Sequence, residues 1–467
     1  MRSYIAFTSV FSATLLQGSL ALPAPAEQIV ERGLADSILN GLGDAVSSLT
    51  GASSVLAQLT TVTATSKPTD IQGASWTLSS ICQATPSPTN IYGTIGNIVA
   101  AGLTVDNVAT IANAVDGLLS GEESWNNTNP IQPAWPIYPQ KDHRDVVYDI
   151  SEKDLRAAIY IPDTFQYGAY GAPNPIILVP GTGDTGYGTF LGNYIPLLQG
   201  SSIADPVWLN IPINLLSDAQ NNAEFVAYAI NYITAISNGR QVSIGCWSQG
   251  NIDSQWAFKF WPSIREVVTD HIAFSPDYHG TVFANFVAAP GEPLPPAILQ
   301  QEYNSKFITA LRANDGDSAF VPTTTVYSGF FDEIVEPQQG TGASAYLLDA
   351  RGVGVTNNEV QLVCAGQAAG TFYTHEGILY NPLGYYLLVD ALANDGPGQT
   401  SRLNLGAVCN NYLTPGLDLA DFFLTETWLA TAGANILLYP FPVLEEPDIK
   451  PQYNSSYAAS VSDTYTR

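Results

Sequence analysis

The stretch "RQVSIGCW" runs directly into "SQGNIDSQWAFKF", so a strand pattern meets a helix pattern at Ser248 with no linker between them. A short apolar strand that turns at once into a helix is the building unit of a parallel sheet covered by helices. The surrounding chain repeats the unit. "PIILVPGTGDTG" is a short apolar strand ending in a glycine-rich loop, and "PVWLNIP" is another apolar run. "SDAQNNAEFVAYAINYITAISNG" carries apolar residues at helical spacing, with Ser217 or Asp218 placed to cap its start and Gly239 to end it. "HIAFSPD" and "TTVYSGFFDEIV" are further strands that end in polar loops. The alternation predicts the α/β class: a mainly parallel central sheet flanked by helices, over residues 141–467.

The chain upstream has a different character. Residues 22–121 are rich in Ala, Ser, Thr, Gly and Leu and poor in aromatics. "ADSILNGLGDAVSSLTGASSVLAQL" and "TIGNIVAAGLTVDNVATIANAVDGLL" have helical spacing, while "TSKPTDIQG" and "ATPSPTN" read as turn and linker. This is an N-terminal helical extension, either a retained layer or a propeptide. So few large side chains do not build a sizeable core of their own. "GEESWNNTNPIQPAWPIYPQ" is polar and proline-containing, which makes residues 122–140 a connector. Residues 1–21 read as a secretory signal peptide: Arg2 precedes a mostly apolar or small run, and Ser19-Leu20-Ala21 offers small residues for cleavage. Thr8, Ser9, Ser12, Thr14, Gln17 and Ser19 dilute the run below what a membrane span needs. Secretion to the extracellular space is the expectation, and the sequons at Asn126 and Asn454 agree with it as glycosylation sites.

Charge narrows the partners. The chain has 16 basic and 42 acidic residues, a net charge of −26. No basic run is present, and binding to a phosphate backbone requires clustered cations, so nucleic acid is excluded. No transmembrane segment is expected. The four cysteines are Cys82, Cys246, Cys364 and Cys409. In an oxidising compartment some pair, and Cys364 with Cys409 is the favoured bridge because Cys246 would end a buried strand. No C-x-x-C or His/Cys cluster points to a metal.

The chemistry centres on Ser248. A nucleophilic serine at a strand-to-helix turn normally sits in G-x-S-x-G. Here Gly250 is kept and Cys246 replaces the first glycine. Such a serine needs a base, and the base an orienting acid, in the order Ser, Asp or Glu, His. The candidates for base are few, because the chain has four histidines. His143 precedes the sheet, His271 opens a strand, and His279 follows a strand end. His375, in "TFYTHEG", follows the later strands, with Gly370 and Gly377 around it. It is the preferred base, with His279 the alternative. Asp332 follows a strand and fits the acid, with Glu333 and Asp277 as alternatives. An oxyanion hole needs donors aimed at the developing charge. Gln249, after the serine, supplies one backbone N–H, and Thr182 in "PGTGDTG" supplies a backbone N–H and a hydroxyl. That loop lacks the G-K-[ST] ending of a nucleotide-binding loop.

At these residues the sequence resembles the Candida antarctica lipase B family of fungal lipases. "ILVPGTGDTG", "CWSQGNIDSQWAFKFWPSIR", "HIAFSPDYHGTV", "VPTTTVYSGFFDEIVEPQ" and "QLVC" occur in the same order, from about Ile177 to Cys409. The resemblance implies an α/β-hydrolase fold and hydrolysis of carboxylic esters, triacylglycerols included. It implies Ser248 as nucleophile, Asp332 as acid, His375 as base, and Thr182 and Gln249 as oxyanion residues. Trp247 matches a residue under the alcohol side of the pocket, Asp277 and Gln301 match polar residues of the acyl side, and Ile334 matches an apolar pocket residue. Cys364 and Cys409 match a disulfide pair. Cys246 stands where the family has threonine, Asn251 where it has glycine, and the N-terminal region is far longer.

The expectation is a secreted serine carboxylic-ester hydrolase that needs no metal or organic cofactor. Its partner is an ester or lipid substrate, met in transient contact with a lipid interface. Two alternatives stand beside it: a non-catalytic binding protein that keeps the fold, and an amidase or acyltransferase using the same serine.

Overall fold

Residues 175–179 read "PIILV", and every one of them is buried. A strand of this kind has both faces covered, as in the middle of a parallel sheet. The computed structural model describes residues 57, 59, 61–84, 91–105, 121–282, 284, 293–329 and 331–453. Within them, seven strands form one sheet: β1 (Ile159–Tyr160), β2 (Pro175–Val179), β3 (Asp205–Leu209), β4 (Val242–Trp247), β5 (Val268–Phe274), β6 (Thr323–Tyr327) and β7 (Val355–Glu359). Their order is β1-β3-β2-β4-β5-β6-β7. β1 is antiparallel to β3, and the other neighbours are parallel. The two strands absent from the sequence reading are the edges. β1 has two residues, and β7 is the polar run "VTNNE", with only part of it buried.

Helices cover both faces. The elements that bear on the site are α1 (Ile71–Ala84), α2 (Ile91–Ala100), α3 (Gly186–Leu191), α4 (Ala219–Ile236), α5 (Gln249–Phe260), α6 (Pro382–Ala393) and α7 (Leu419–Leu438). Alternate strand residues feed opposite cores, as the two-residue period of a strand requires. Ile177 and Val179 pack with Val226, Ile230 and Ile233 of α4 and Ile252 of α5. Ile176 and Leu178 pack in the other core with Leu383 and Leu387 of α6 and Phe422 of α7. Asp218 caps α4 by accepting the Gln220 N–H, and the Gly239 N–H closes its end on Thr234 O with φ +75°.

The N-terminal region shares the second core rather than building its own. Leu78 and Ile81 of α1 and Ile95, Ile98 and Val99 of α2 belong to it. A Cβ on Gly433 of α7 would lie 2.5 Å from Ile95, so α2 packs directly on α7. α1 corrects the linker reading of "TSKPTDIQG", whose last three residues are its first turn. The Asp70 carboxylate accepts the Gly73 N–H at 2.7 Å and so satisfies one of the donors that start the helix. The expected signal peptide, residues 1–21, lies outside the described residues, as do nearly all of the first helical pattern (35–59), the end of the second (106–120) and the Asn454 sequon. Among the described residues no helix is long and apolar enough to cross a membrane.

Candidate active site

β4 ends at Trp247 and α5 begins at Gln249, which leaves Ser248 as the whole turn. Its backbone is forced to φ 51°, ψ −127°, a conformation that non-glycine residues rarely adopt. A turn this tight brings α5 against the end of β2. A Cβ on Gly250 would lie 2.5 Å from Pro180 O and 2.8 Å from Val179 O, so the glycine is required there. At the position of the missing first glycine, Cys246 is fully buried with Sγ 3.2 Å from Ser254 Oγ, and burial pushes its thiol up. It is packing, not a second nucleophile. Asn251 adds a support that the motif did not reveal. Its Nδ2 donates to Cys246 O, Ser248 O and Phe274 O, which ties the turn to the next strand.

His375 Nε2 lies 2.8 Å from Ser248 Oγ. Its Nδ1 lies 2.9 and 3.0 Å from the two oxygens of Asp332. Asp332 is held in turn by the N–H groups of Ile334 and Val335, at 3.0 and 2.7 Å. Glu333 accepts the backbone N–H of His375 at 3.0 Å, and Trp247 Nε1 and Ser275 Oγ donate to the His375 carbonyl. Thr374, His375 and Glu376 are buried, and the His375 ring is fixed on both sides, although Gly370 and Gly377 flank this loop. The remaining histidines bond elsewhere. His143 is exposed beside Asp142, His271 Nε2 is 3.2 Å from Asn251 Oδ1, and the His279 backbone N–H donates to Ser344.

Burial alone would lower the basicity of His375, but the charges of Asp332, Glu333 and Asp277 outweigh it and leave the ring more basic than an ordinary imidazole. Burial raises Asp277 to about 7 and Glu333 to about 8. Behind them Glu376 and Glu426 are also buried, and Glu426 accepts from Tyr380 at 2.7 Å and Thr374 at 3.2 Å.

The loop after β2 brings Thr182 alongside. Its hydroxyl donates to Gln249 Oε1 at 2.8 Å and lies 3.0 Å from Gln301 Oε1. Gln301 Nε2 donates to Gln249 Oε1, and Gln249 Nε2 donates to Leu215 O. The Trp247 ring lies 5.1 Å from that of His375, tilted by 40°. Asp277 and Gln301 are buried, and Ile334 is half-buried two residues after Asp332. Cys364 and Cys409 are joined in a disulfide. Asn126 is exposed. Among the described residues no group of three His, Cys, Asp or Glu side chains could hold a metal ion. A cavity of about 1090 Å³ lies at the opposite end of the sheet, near Ser243, Asp270 and Phe320, and contains none of these residues. Ligands of such sheets bind at the carboxyl ends of the strands, where Ser248 sits.

No protein-family model matches the sequence. Lipase B of Pseudozyma antarctica is 37% identical over 286 residues, covering 59% of this chain and 78% of its own. The crystal structure of Aspergillus fumigatus lipase B is 43% identical, with a TM-score of 0.80 over 90% of this chain and 99% of the other. The chain belongs to the lipase B family. Its sheet and helices are those of an α/β-hydrolase. As a member of the lipase B family it is a carboxylic-ester hydrolase.

Proposed function

We propose that this lipase B relative is a secreted serine hydrolase that cleaves acylglycerols or related carboxylic esters through an acyl-enzyme. The observation that carries the reading is the unbroken line from Ser248 Oγ to His375 Nε2 and from His375 Nδ1 to Asp332. Ser248 attacks the ester carbonyl while His375 Nε2 takes its proton. Asp332 holds the ring with Nδ1–H toward itself and stabilises the imidazolium. The negative oxygen is met by the N–H groups of Gln249 and Thr182 and by the Thr182 hydroxyl, which turns from the glutamine oxygens to do so. His375 returns the proton to the leaving alkoxide. Water then enters, gives its proton to His375 and resolves the acyl group, and the serine is restored.

Asp277 and Gln301 face the acyl side, Trp247 the alcohol side, and Ile334 adds apolar surface. Their support is the lipase B resemblance and their grouping around Ser248. The signal-like N-terminus and the exposed Asn126 sequon support secretion and glycosylation. The core that α1 and α2 share with α6 and α7 supports a retained N-terminal layer over a removable propeptide.

Ser248→Ala is the direct test. The variant is expected to fold and to lose at least ~10³-fold in kcat on p-nitrophenyl esters, as for loss of a triad member. Activity within tenfold of the parent in a folded variant refutes the serine mechanism.

A further inference from the structure

Oxyanion donors act only when they sit within a few tenths of an ångström of their target position. Thr182 lies in a loop, so something must fix that loop. Gly183, next to it, is held from two directions. Its N–H donates to Asn214 O at 2.9 Å. That acceptor is presented by Ile213, Asn214 and Leu215, three successive residues with φ of 55°, 55° and 58°. A β-branched residue such as Ile213 adopts positive φ only when its surroundings impose it. On the other side, the Gly183 carbonyl accepts from Asn435 Nδ2 at 2.6 Å, across 252 residues of sequence. Asn435 lies on α7 and is 6% exposed. One turn earlier, Ala432 lies so close that a Cβ on Gly183 would sit 2.8 Å from its Cα. The loop and α7 are thus in backbone contact, with one side-chain amide fixing the carbonyl.

We infer that Asn435 is a positioning residue that sets the oxyanion loop by fixing the Gly183 carbonyl, and so acts on the transition state without touching substrate. The inference rests on Thr182 being an oxyanion donor. The same helix also carries Glu426, which bonds Thr374 and Tyr380 beside His375. α7 therefore braces both the loop of the donor and the loop of the base.

The test measures kcat and KM on p-nitrophenyl butyrate for Asn435→Leu, Asn435→Asp and Thr182→Val. It also measures inhibition by an alkyl boronate, which becomes tetrahedral on Ser248, and by an uncleaved amide of the same acyl chain. Asn435→Leu is expected to lose at least ~10-fold in kcat with KM nearly unchanged. The boronate should weaken by the same factor, while the amide should not. Asn435→Asp keeps the shape but donates only while its carboxyl holds a proton. Its activity relative to the parent should therefore fall as pH rises. Asp184, the buried carboxyl beside Gly183, is present in both proteins and cancels in that ratio.

A folded Asn435→Leu within twofold of the parent overturns the proposal, as does equal weakening of boronate and amide. Should Asn435→Leu not fold, Asn435→Asp decides, and a flat activity ratio across pH overturns it. If Thr182→Val is impaired while the Asn435 variants are neutral, the anchor alone is wrong. If Thr182→Val is itself neutral, the hydroxyl drops out of the oxyanion reading, and the Thr182 backbone N–H is the donor whose placement Asn435→Leu tests.

Discussion

Asp332 does two things to His375 at once. It selects the tautomer with Nδ1–H toward itself, and its charge is the largest of those that raise the ring's basicity against the lowering by burial. In the proposed mechanism His375 must be neutral to accept the Ser248 proton. Activity is therefore expected to rise with pH, with an acid limb lying above the value of an ordinary imidazole. Asp332→Asn removes both effects. Its kcat is expected to fall about 10⁴-fold, as when the acid of a comparable triad is replaced. The acid limb of its residual activity should move to lower pH. A pH profile of kcat/KM checks both, and an unmoved limb in a crippled variant would mean that Glu333 and Asp277 set the ring's basicity. Asp332 and Ser248 could be proposed from the sequence because each follows a strand in the order this fold demands. Asn251, Glu333 and Asn435 could not be proposed as supports. Each acts by hydrogen bonds to the backbone, from Asn251 to its own turn and to Phe274, and from Glu333 and Asn435 to His375 and Gly183 far along the chain, and an isolated polar residue in a helix or loop carries no sign of that in the sequence.

At the scale of elements, the decisive contact is α5 against the end of β2. Gly250 lets the helix start approach Pro180 and Val179, so the Ser248 turn and the Thr182 loop lie side by side. Gly250→Ala adds a methyl whose two nearest neighbours are backbone oxygens, and backbone does not yield as a flexible side chain does. Overpacking of this kind costs about 1–3 kcal/mol. The urea midpoint of Gly250→Ala should fall accordingly, and its activity should fall with it. A variant as stable and active as the parent would show that the two segments slide apart without loss. The central strands were plain in the sequence because burial on both faces requires unbroken apolar runs. The edge strands β1 and β7 were missed because an edge is paired on one side only and tolerates polar or very short segments. α1 was missed because its start is marked by one capping contact from Asp70 inside what reads as a linker.

The whole molecule carries an unusual store of buried acid. Burial raises Glu224, Asp270, Asp277 and Glu426 to about 7 and Glu333 to about 8. Unfolded carboxyls titrate near 4. The native state therefore keeps protons that the unfolded chain has released. Their stabilisation is fully present below the unfolded value and is lost as pH rises through 7 to 8. His375, raised in the fold, acts in the same sense. His271 and His279 act oppositely: burial lowers them to about 3 and about 4, which penalises the fold below an ordinary histidine value. Between about pH 6.5 and 8 the carboxyls dominate. The urea midpoint is expected to fall across that window, measured at constant ionic strength. A midpoint that rises instead would mean that these carboxyls are already ionised in the native state. A net charge of −26 adds self-repulsion in the same direction.

By itself the sequence determined the fold class and the strand-to-helix turn at Ser248, and it put forward Ser248, Asp332 and His375, in that order, as the proposed nucleophile, acid and base. Local patterns suffice for these, because strand burial, helix spacing and turn chemistry are written in neighbouring residues. Only the tertiary structure decided that His375, 127 residues from Ser248, meets it at 2.8 Å while His279 does not. Only the tertiary structure brought α7 against the Thr182 loop, and the N-terminal helices against α7. Those contacts join segments whose separation along the chain carries no periodic signal. They arise because each apolar face has to be covered by another, and the geometry of that covering belongs to the whole chain at once.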